Sequence, residues 1–178
     1  MKIKTLAFTL GVAAALCTPW QQSSAADDTN TNTKPTAMEK AFVKKAAQGG
    51  MTEVALGKIA AEKGGSEDVK DFGNLMVKDH TNINDNLKEI AGKMDVKIPA
   101  DLNAKHQAMV DKFSKLSGAE FDNKYVPAMV KDHKKDINEF EEADKTVKNP
   151  ELKKFIEDSL PTLKSHLEKI EKFSQAKG

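Results

Sequence analysis

Residues 66–93 read SEDVKDFGNLMVKDHTNINDNLKEIAGK, and the spacing of their apolar residues indicates the fold class. Apolar positions recur every three or four residues, which predicts one long amphipathic helix from about Glu67 to Lys93. Ser66 is a suitable N-cap, and Glu67 and Asp68 place negative charge in the first turn, where the helix dipole favours it. The predicted inward stripe consists of Phe72, Met76, His80, Ile83, Leu87 and Ile90.

The same spacing predicts three further long helices and one short helix, with little of the alternation that is typical of strands. Two glycines at 64–65 end the helix that precedes Ser66. Ser117 and Glu120 match a capping box, and Asn149 precedes a proline at a first helical position. The predicted helices run from Met38 to Lys63, from Glu67 to Lys93, from Asp101 to Leu116, from Ser117 to Lys148 and from Pro150 to Gln175.

Two long helical hairpins joined by residues 94–116 predict an all-α protein built as a four-helix bundle. A tight up-down-up-down bundle needs a much shorter connection between its hairpins. A connection of this length, with its own short helix, can return along the bundle, as in ferritin-like topology. We therefore expect a ferritin-like four-helix bundle with a short extra helix between the two hairpins.

A five-residue repeat relates two of the long helices. MVKDH at residues 76–80 recurs at residues 129–133, each time within a helical pattern. A duplicated helical hairpin is the simple explanation. However, the copies lie on the second and third long helices, so superposing one hairpin on the other would not align the two copies. The repeat places His80 and His133 in similar local sequences.

The first 26 residues are typical of a secretory signal peptide. Two lysines precede an apolar stretch that ends at Leu16, and the small residues at 24–26 suit cleavage after Ala26. A lipoprotein signal using Cys17 is the alternative, but Leu16 stands where such a signal needs a small residue. We expect a signal peptide over residues 1–26, a disordered polar tether over residues 27–37 and a folded domain over residues 38–176.

The composition excludes several classes of protein. The chain has 28 basic residues, all lysine, against 27 acidic residues, and a formal net charge of +1. This balance, without arginine, disfavours nucleic-acid binding. A single cysteine excludes a disulfide framework and a Cys-based zinc site. No apolar run after the signal is long enough for a transmembrane helix. Together with the signal peptide, this leads us to expect an exported bacterial protein that is periplasmic or secreted, and the sequence names no protein partner.

Each long helix carries one ionisable residue of metal-ligand type on or beside its apolar stripe: Glu53, His80, His133 and His166. Glu53 and His80 are equally distant from the first predicted turn, and His133 and His166 are equally distant from the second. Facing residues of an antiparallel hairpin are equidistant from its turn, so each pair should meet. At a rise of 1.5 Å per residue, all four residues fall near the mid-height of the bundle.

Four such groups at one level favour a single transition-metal ion in the bundle core. Neutral imidazoles and a carboxylate suit iron, zinc, manganese or copper. The alternative is a buried Glu–His network that only fixes the register of the helices. Asp122 lies eleven residues before His133, about 16 Å along the helix, which is too far for both to bind one ion.

Residues next to the histidines are candidates for a supporting role. Asp79 and Asp132 point about 100° away from the adjacent histidines, so they would orient ligands or pair with surface lysines rather than bind the ion. Met76 and Met129 precede their histidines by one turn; copper binding is conceivable in an oxidising compartment, but filling of the core is the simpler interpretation. His106, on the short helix, is interpreted as a packing or capping residue.

Five segments of the chain form a recognisable set: Glu53–Gly57, Met76–His80, Gly118–Asp122 with Tyr125, Met129 with His133, and Leu160–Pro161 with His166. Together they resemble the DUF4142 family, a bacterial domain of unknown function placed in the ferritin-like superfamily. The resemblance covers about Met38 to Lys172 and implies a ferritin-like bundle in an exported or peripheral outer-membrane protein, without an established activity.

The sequence departs from the di-iron pattern of ferritin-like proteins, which takes Glu-x-x-His from two helices. Val77, Val130 and Leu163 stand three residues before the three candidate histidines. This departure disfavours ferroxidase or oxygenase chemistry, and without the di-iron pattern the sequence favours a protein that is not an enzyme. The first hypothesis is a metal-binding envelope protein for metal handling or stress protection. The second is a non-enzymatic interaction or stress-response module with a structural Glu/His core.

Overall fold

The computed structural model describes residues 34–175. This part of the chain is helical and contains no strand, apart from one isolated backbone bridge between Gly64 and Gly118. The all-α prediction is confirmed. The five helices are α1 (Ala37–Lys63), α2 (Glu67–Lys93), α3 (Ala104–Ser114), α4 (Gly118–Thr146) and α5 (Pro150–Gln175).

Helix α2 has the predicted bounds, and the Ser66 hydroxyl accepts from the Val69 N–H as its cap. The predicted capping box at Ser117 is wrong, because this side chain makes no capping hydrogen bond. Gly118 begins α4 with a positive φ of 57°. The Glu120 carboxylate pairs with Lys124, one turn later, and not with the Ser117 N–H as a capping box requires.

A capping box that the sequence analysis missed begins α1. The Thr36 hydroxyl accepts from the Glu39 N–H, and the Glu39 carboxylate accepts from the Thr36 N–H. The tether predicted for residues 27–37 therefore overlaps the start of the folded domain at its end. Residues 27–33 of that tether and the predicted signal peptide lie outside the described residues.

The long helices pair as two antiparallel hairpins, α1 with α2 and α4 with α5. Between the hairpins, α1 packs against α4 and α2 against α5. The end of α1 lies beside the start of α4, and Lys93 at the end of α2 pairs with Glu151 at the start of α5. The segment between α2 and α4 therefore connects opposite ends of the helices, and within it α3 packs against α1.

Each hairpin supplies an acidic residue that holds the turn of the other. Glu39 of α1 accepts hydrogen bonds from the N–H groups of Lys148 and Asn149, at 2.9 Å each. Asp122 of α4 accepts from the N–H groups of Gly65 and Ser66, at 2.8 and 3.0 Å. Burial opposes ionisation of Glu39. The N–H groups of Thr36, Lys148 and Asn149 and the Thr36 hydroxyl donate to its carboxylate and lower the pKa of Glu39 below the usual value. These bonds satisfy backbone donors at helix starts and lock the register between the hairpins.

Close contact between α1 and α2 depends on two glycines. A Cβ atom at Gly73 would lie 2.6 Å from Gly57 O and 2.6 Å from Ala61 N, and a Cβ at Gly57 would lie 2.9 Å from Gly73 O. Neither position has room for a side chain, so the two backbones approach one turn from Glu53. This approach positions α1 against the α2 face that carries His80.

Buried residues form two apolar clusters on either side of one polar layer. The first cluster contains Val43, Leu87, Phe140 and Ile156 from the four long helices, among others. The second contains Leu56, Phe72, Phe121 and Ile170, among others. Along every long helix, the candidate residue Glu53, His80, His133 or His166 lies between the two clusters.

Within residues 34–175, none of the helices has the length and apolar character that crossing a membrane requires.

Candidate metal centre

Three helices bring their histidines together in the polar layer. His80 of α2, His133 of α4 and His166 of α5 are 1%, 0% and 1% exposed. One ring nitrogen from each lies within 4.8 Å of those of the other two. The ring centroids are 5.3 to 5.9 Å apart. We call these three residues the imidazole cluster. The sequence placed His166 only at the edge of its stripe, whereas the structure buries it fully.

Every ring of the imidazole cluster has one nitrogen beside a polar neighbour. His80 Nδ1 lies 2.9 Å from Glu53 Oε2. His133 Nδ1 donates to the Met129 carbonyl oxygen, at 3.0 Å. His166 Nε2 lies 2.8 Å from Asp79 Oδ2, within hydrogen-bonding distance. Such contacts fix the tautomer and the rotation of an imidazole, as outer partners do for metal-ligating histidines.

The other nitrogen of every ring has no hydrogen-bond partner among residues 34–175. His80 Nε2, His133 Nε2 and His166 Nδ1 are all buried and unpartnered, and so is Glu53 Oε1, which lies 3.8 Å from His133 Nε2. Buried polar atoms without partners are rare in native structures and need an explanation. Here four of them belong to four residues of metal-ligand type in one layer of the bundle.

Burial keeps the imidazole cluster neutral. It lowers the pKa of His80 to about 4 and lowers the pKa of His133 and His166, although Glu53 and Asp79 partly oppose this shift. A neutral ring at pH 7 offers a lone pair without first losing a proton. The cluster is thus ready to bind a cation near neutral pH.

A second group of residues of metal-ligand type includes Glu53 as well. Glu53, Asp132 and Asp136 each offer a carboxylate oxygen, and these oxygens lie within 4.8 Å of one another. We call these three residues the carboxylate cluster. Burial raises the pKa of Asp132 to about 7, with the charges of Asp136 and Glu53 adding to the effect. Burial likewise raises the pKa of Glu53 and Asp136.

A cavity of about 520 Å³ leads to this layer from the side of α3. Its inner wall includes His80 and all three residues of the carboxylate cluster. Lys45 and Lys135 also line it, and their side chains are 59% and 53% exposed, so the cavity reaches solvent. The imidazole cluster is otherwise enclosed, with Phe72 ring centroids 6.3 and 6.0 Å from those of His133 and His166.

The supporting residues named from the sequence divide between the two clusters and the core. Asp79 contacts His166, on another helix, rather than the neighbouring His80. Asp132 belongs to the carboxylate cluster. Met76 and Met129 are fully buried in the second apolar cluster, and the Met129 carbonyl accepts from His133.

Other polar residues connect the helices outside the site. Asn103, not His106, caps the start of α3, because its side-chain oxygen accepts from the His106 N–H. The His106 ring packs between α1 and α3, with Nδ1 2.9 Å from Asn103 Nδ2 and 3.3 Å from Gln48 Oε1. Asp122 holds the first turn and takes no part in either cluster. Asp136 was not predicted as a site residue, although its i, i+4 spacing from Asp132 places a second carboxylate on the same helix face.

The donor set has a defined chemical preference. Three neutral imidazoles suit iron, zinc, copper or nickel, whereas carboxylates suit harder ions such as manganese, magnesium or calcium. The buried group of His80, His133, His166 and Glu53 can hold a metal ion.

A family model agrees with the resemblance found in the sequence. The model for a domain of unknown function, DUF4142, matches residues 23–173. The chain belongs to the DUF4142 family. No curated protein and no solved structure matches this chain. Family membership names no activity, so the chemistry has to be argued from the site.

Proposed function

We propose that this DUF4142 protein is an exported, ferritin-like envelope protein that binds one transition-metal ion at the imidazole cluster. Its role would be metal handling or protection of the envelope against stress, without an enzymatic step of its own. The supporting observation is the set of three buried ring nitrogens that have no hydrogen-bond partner, each on a ring whose other nitrogen has a polar neighbour. Zinc, iron and copper are the candidate ions for the three rings, and manganese becomes a candidate when Glu53 adds a carboxylate ligand.

The ferritin-like assignment is supported by the arrangement of the helices. Two antiparallel hairpins pack side by side, and their connection joins opposite ends of the helices. Export is supported only by the N-terminal pattern of two lysines, an apolar stretch and small residues. Peripheral association with the outer membrane is an extension of the same proposal.

Metal analysis of the purified protein, prepared without a polyhistidine tag, tests the proposed site. We expect close to one transition-metal ion per chain in the wild type and none in the His80→Ala, His133→Ala double variant. His106→Ala is the matched control, since it removes a histidine outside the cluster and should retain the ion. Circular dichroism establishes that each variant is folded.

A different result would favour the structural alternative. If the wild type binds no zinc, iron, copper or manganese, and its melting temperature does not respond to any of them, the metal proposal fails. The contacts of the three rings with Glu53, Met129 and Asp79 would then serve only to hold the four helices in register.

A further inference from the structure

We infer that the carboxylate cluster is a second cation site, which binds a hard divalent ion such as Mn²⁺ on the cavity side of Glu53. Glu53 would then be shared between this ion and the transition-metal ion of the imidazole cluster. The shared role of Glu53 rests on the proposed function. The second site also has two ligands of its own, Asp132 and Asp136.

The grouping of the three carboxylates is the first observation. Oxygens from Glu53 of α1 and from Asp132 and Asp136 of α4 come within 4.8 Å of one another. The spacing of Asp132 and Asp136 by four residues places both on one face of α4, towards α1. Three carboxylates offer six oxygen atoms, and hard divalent ions prefer oxygen ligands, completing their shell with water.

The state of Glu53 is a second, separate observation. This residue is 3% exposed, and its Oε1 atom receives no hydrogen bond. Its Oε2 atom lies beside His80, and its Oε1 atom lies 3.8 Å from His133 Nε2, which is beyond hydrogen-bonding distance. An unpartnered carboxylate oxygen inside the bundle is costly unless a cation or a proton neutralises it.

The cavity supplies a path and room for water. It is lined by all three carboxylates and reaches solvent beside Lys45 and Lys135. Its volume of about 520 Å³ is large compared with a single water molecule, so a partly hydrated ion fits.

One lysine competes with an ion for this site. Lys135 Nζ lies 3.0 Å from Asp136 Oδ1 and 3.4 Å from Glu139 Oε1. Its side chain is 53% exposed, so it can move to Glu139 alone and release Asp136. Burial and the charges of Asp136 and Glu53 raise the pKa of Asp132, whereas the charge of Lys135 lowers it.

Mn²⁺ is the probe for this site, because its bound and free forms are distinguished by electron paramagnetic resonance. We would titrate Mn²⁺ into zinc-loaded wild type and into zinc-loaded Asp132→Asn, Asp136→Asn. Wild type should bind one Mn²⁺ in addition to zinc. The double variant should keep its zinc and bind Mn²⁺ at least about tenfold more weakly, which is about 1.4 kcal/mol of binding free energy.

Asp85→Asn, Glu89→Gln is the matched control. It removes two negative charges at the same four-residue spacing from an exposed part of α2 and should bind Mn²⁺ like the wild type. The zinc-free His80→Ala, His133→Ala variant should also bind Mn²⁺, which separates the two sites.

The outcomes distinguish this inference from the proposed function. Zinc binding without Mn²⁺ binding, or Mn²⁺ binding that the Asp132→Asn, Asp136→Asn variant retains in full, overturns the second site alone. Mn²⁺ binding that this variant loses, in a wild type that does not bind zinc, supports the second site and overturns the imidazole site.

Discussion

The imidazole cluster and the carboxylate cluster meet at Glu53 but are built in different ways. The three rings come from α2, α4 and α5 and are almost completely buried. The carboxylate cluster takes Asp132 and Asp136 from one helix and lies on a cavity that reaches solvent. Burial shifts both sets towards their neutral forms, lowering the histidine pKa values and raising those of the acids. The difference shows that one layer of the bundle presents a nitrogen-rich ligand set and an oxygen-rich ligand set, which meet at Glu53.

Metal binding at the imidazole cluster should have the largest effect on stability. An ion at a thousand times its dissociation constant stabilises the folded state by about 4 kcal/mol, which raises the melting temperature by roughly 10 °C for a chain of this size. Calorimetry of apo and zinc-loaded protein measures the shift. We expect none in His133→Ala; a full shift in that variant would locate the ion elsewhere.

Gly73→Ala tests whether the close approach of α1 and α2 builds the imidazole cluster. The new Cβ would overlap the α1 backbone at Gly57 and Ala61. We expect a loss of about 1–3 kcal/mol in unfolding free energy, measured by urea denaturation, because overpacking forces the backbones apart. Zinc binding should weaken as Glu53 moves from His80, and Mn²⁺ binding should weaken as well, because Glu53 also belongs to the carboxylate cluster.

Gly92→Ala is the control for this substitution. A Cβ at Gly92 would meet no atom within 4 Å, so alanine should stabilise α2 by about 0.5–1 kcal/mol through its higher helix propensity. Equal effects of the two substitutions would show that helix spacing does not govern the site.

Asp79→Asn tests the contact that orients His166. Removing the carboxylate should weaken zinc binding by about 10- to 100-fold, as loss of an outer partner does at other metal sites. It should leave Mn²⁺ binding at the carboxylate cluster unchanged. Competition with a zinc-sensitive dye measures the affinity. Asp71→Asn, exposed on the same helix, serves as the control, and an equal loss in both variants would argue against a specific role for Asp79.

Asp132→Asn should make the metal-free protein more stable at pH 8 but not at pH 4. The pKa of Asp132 is about 7 in the folded protein and about 4 in the unfolded chain. A raised carboxyl pKa stabilises the fold at low pH, and this stability is lost as pH rises through about 4 to 7. The groups that face Asp132 are Asp136, Glu53, Glu139 and Lys135.

Asparagine cannot ionise, so the variant should avoid that loss. We expect a gain of about 1–2 kcal/mol in unfolding free energy at pH 8, after allowing for partial exposure of the group. Urea denaturation at both pH values measures it, with exposed Asp85→Asn as the control. A difference that does not depend on pH would contradict the shifted pKa.

Local pattern predicted most of the helices and the inward direction of their polar residues. The bounds of α2 and α5 follow from the spacing of apolar residues and from the Ser66 and Asn149 caps. The capping box at Thr36 was also visible as Thr-x-x-Glu but lay in a segment interpreted as a tether. At Ser117 the same kind of pattern was misleading, since Gly118 adopts a positive φ and redirects the backbone.

Packing between the helices determined side-chain contacts that the sequence pattern did not specify. The Asn84 side chain occupies the space beside Gly50, and the Gly73 backbone occupies the space beside Gly57. Asp79 reaches the histidine of another helix, and Asp136 joins Glu53 across the α1–α4 interface. These partners depend on the rotation and spacing of neighbouring helices.

The sequence by itself determined that the described chain is helical, that residues of metal-ligand type face inward on four helices, and that they share one level. Those properties follow from the helical period and from distances to the turns, which are local quantities. The tertiary structure alone decided which nitrogen of each ring lacks a partner, and that Glu53 belongs to two clusters. The local sequence determines where a side chain lies on its own helix. The residues that it contacts depend on the helix that packs against it.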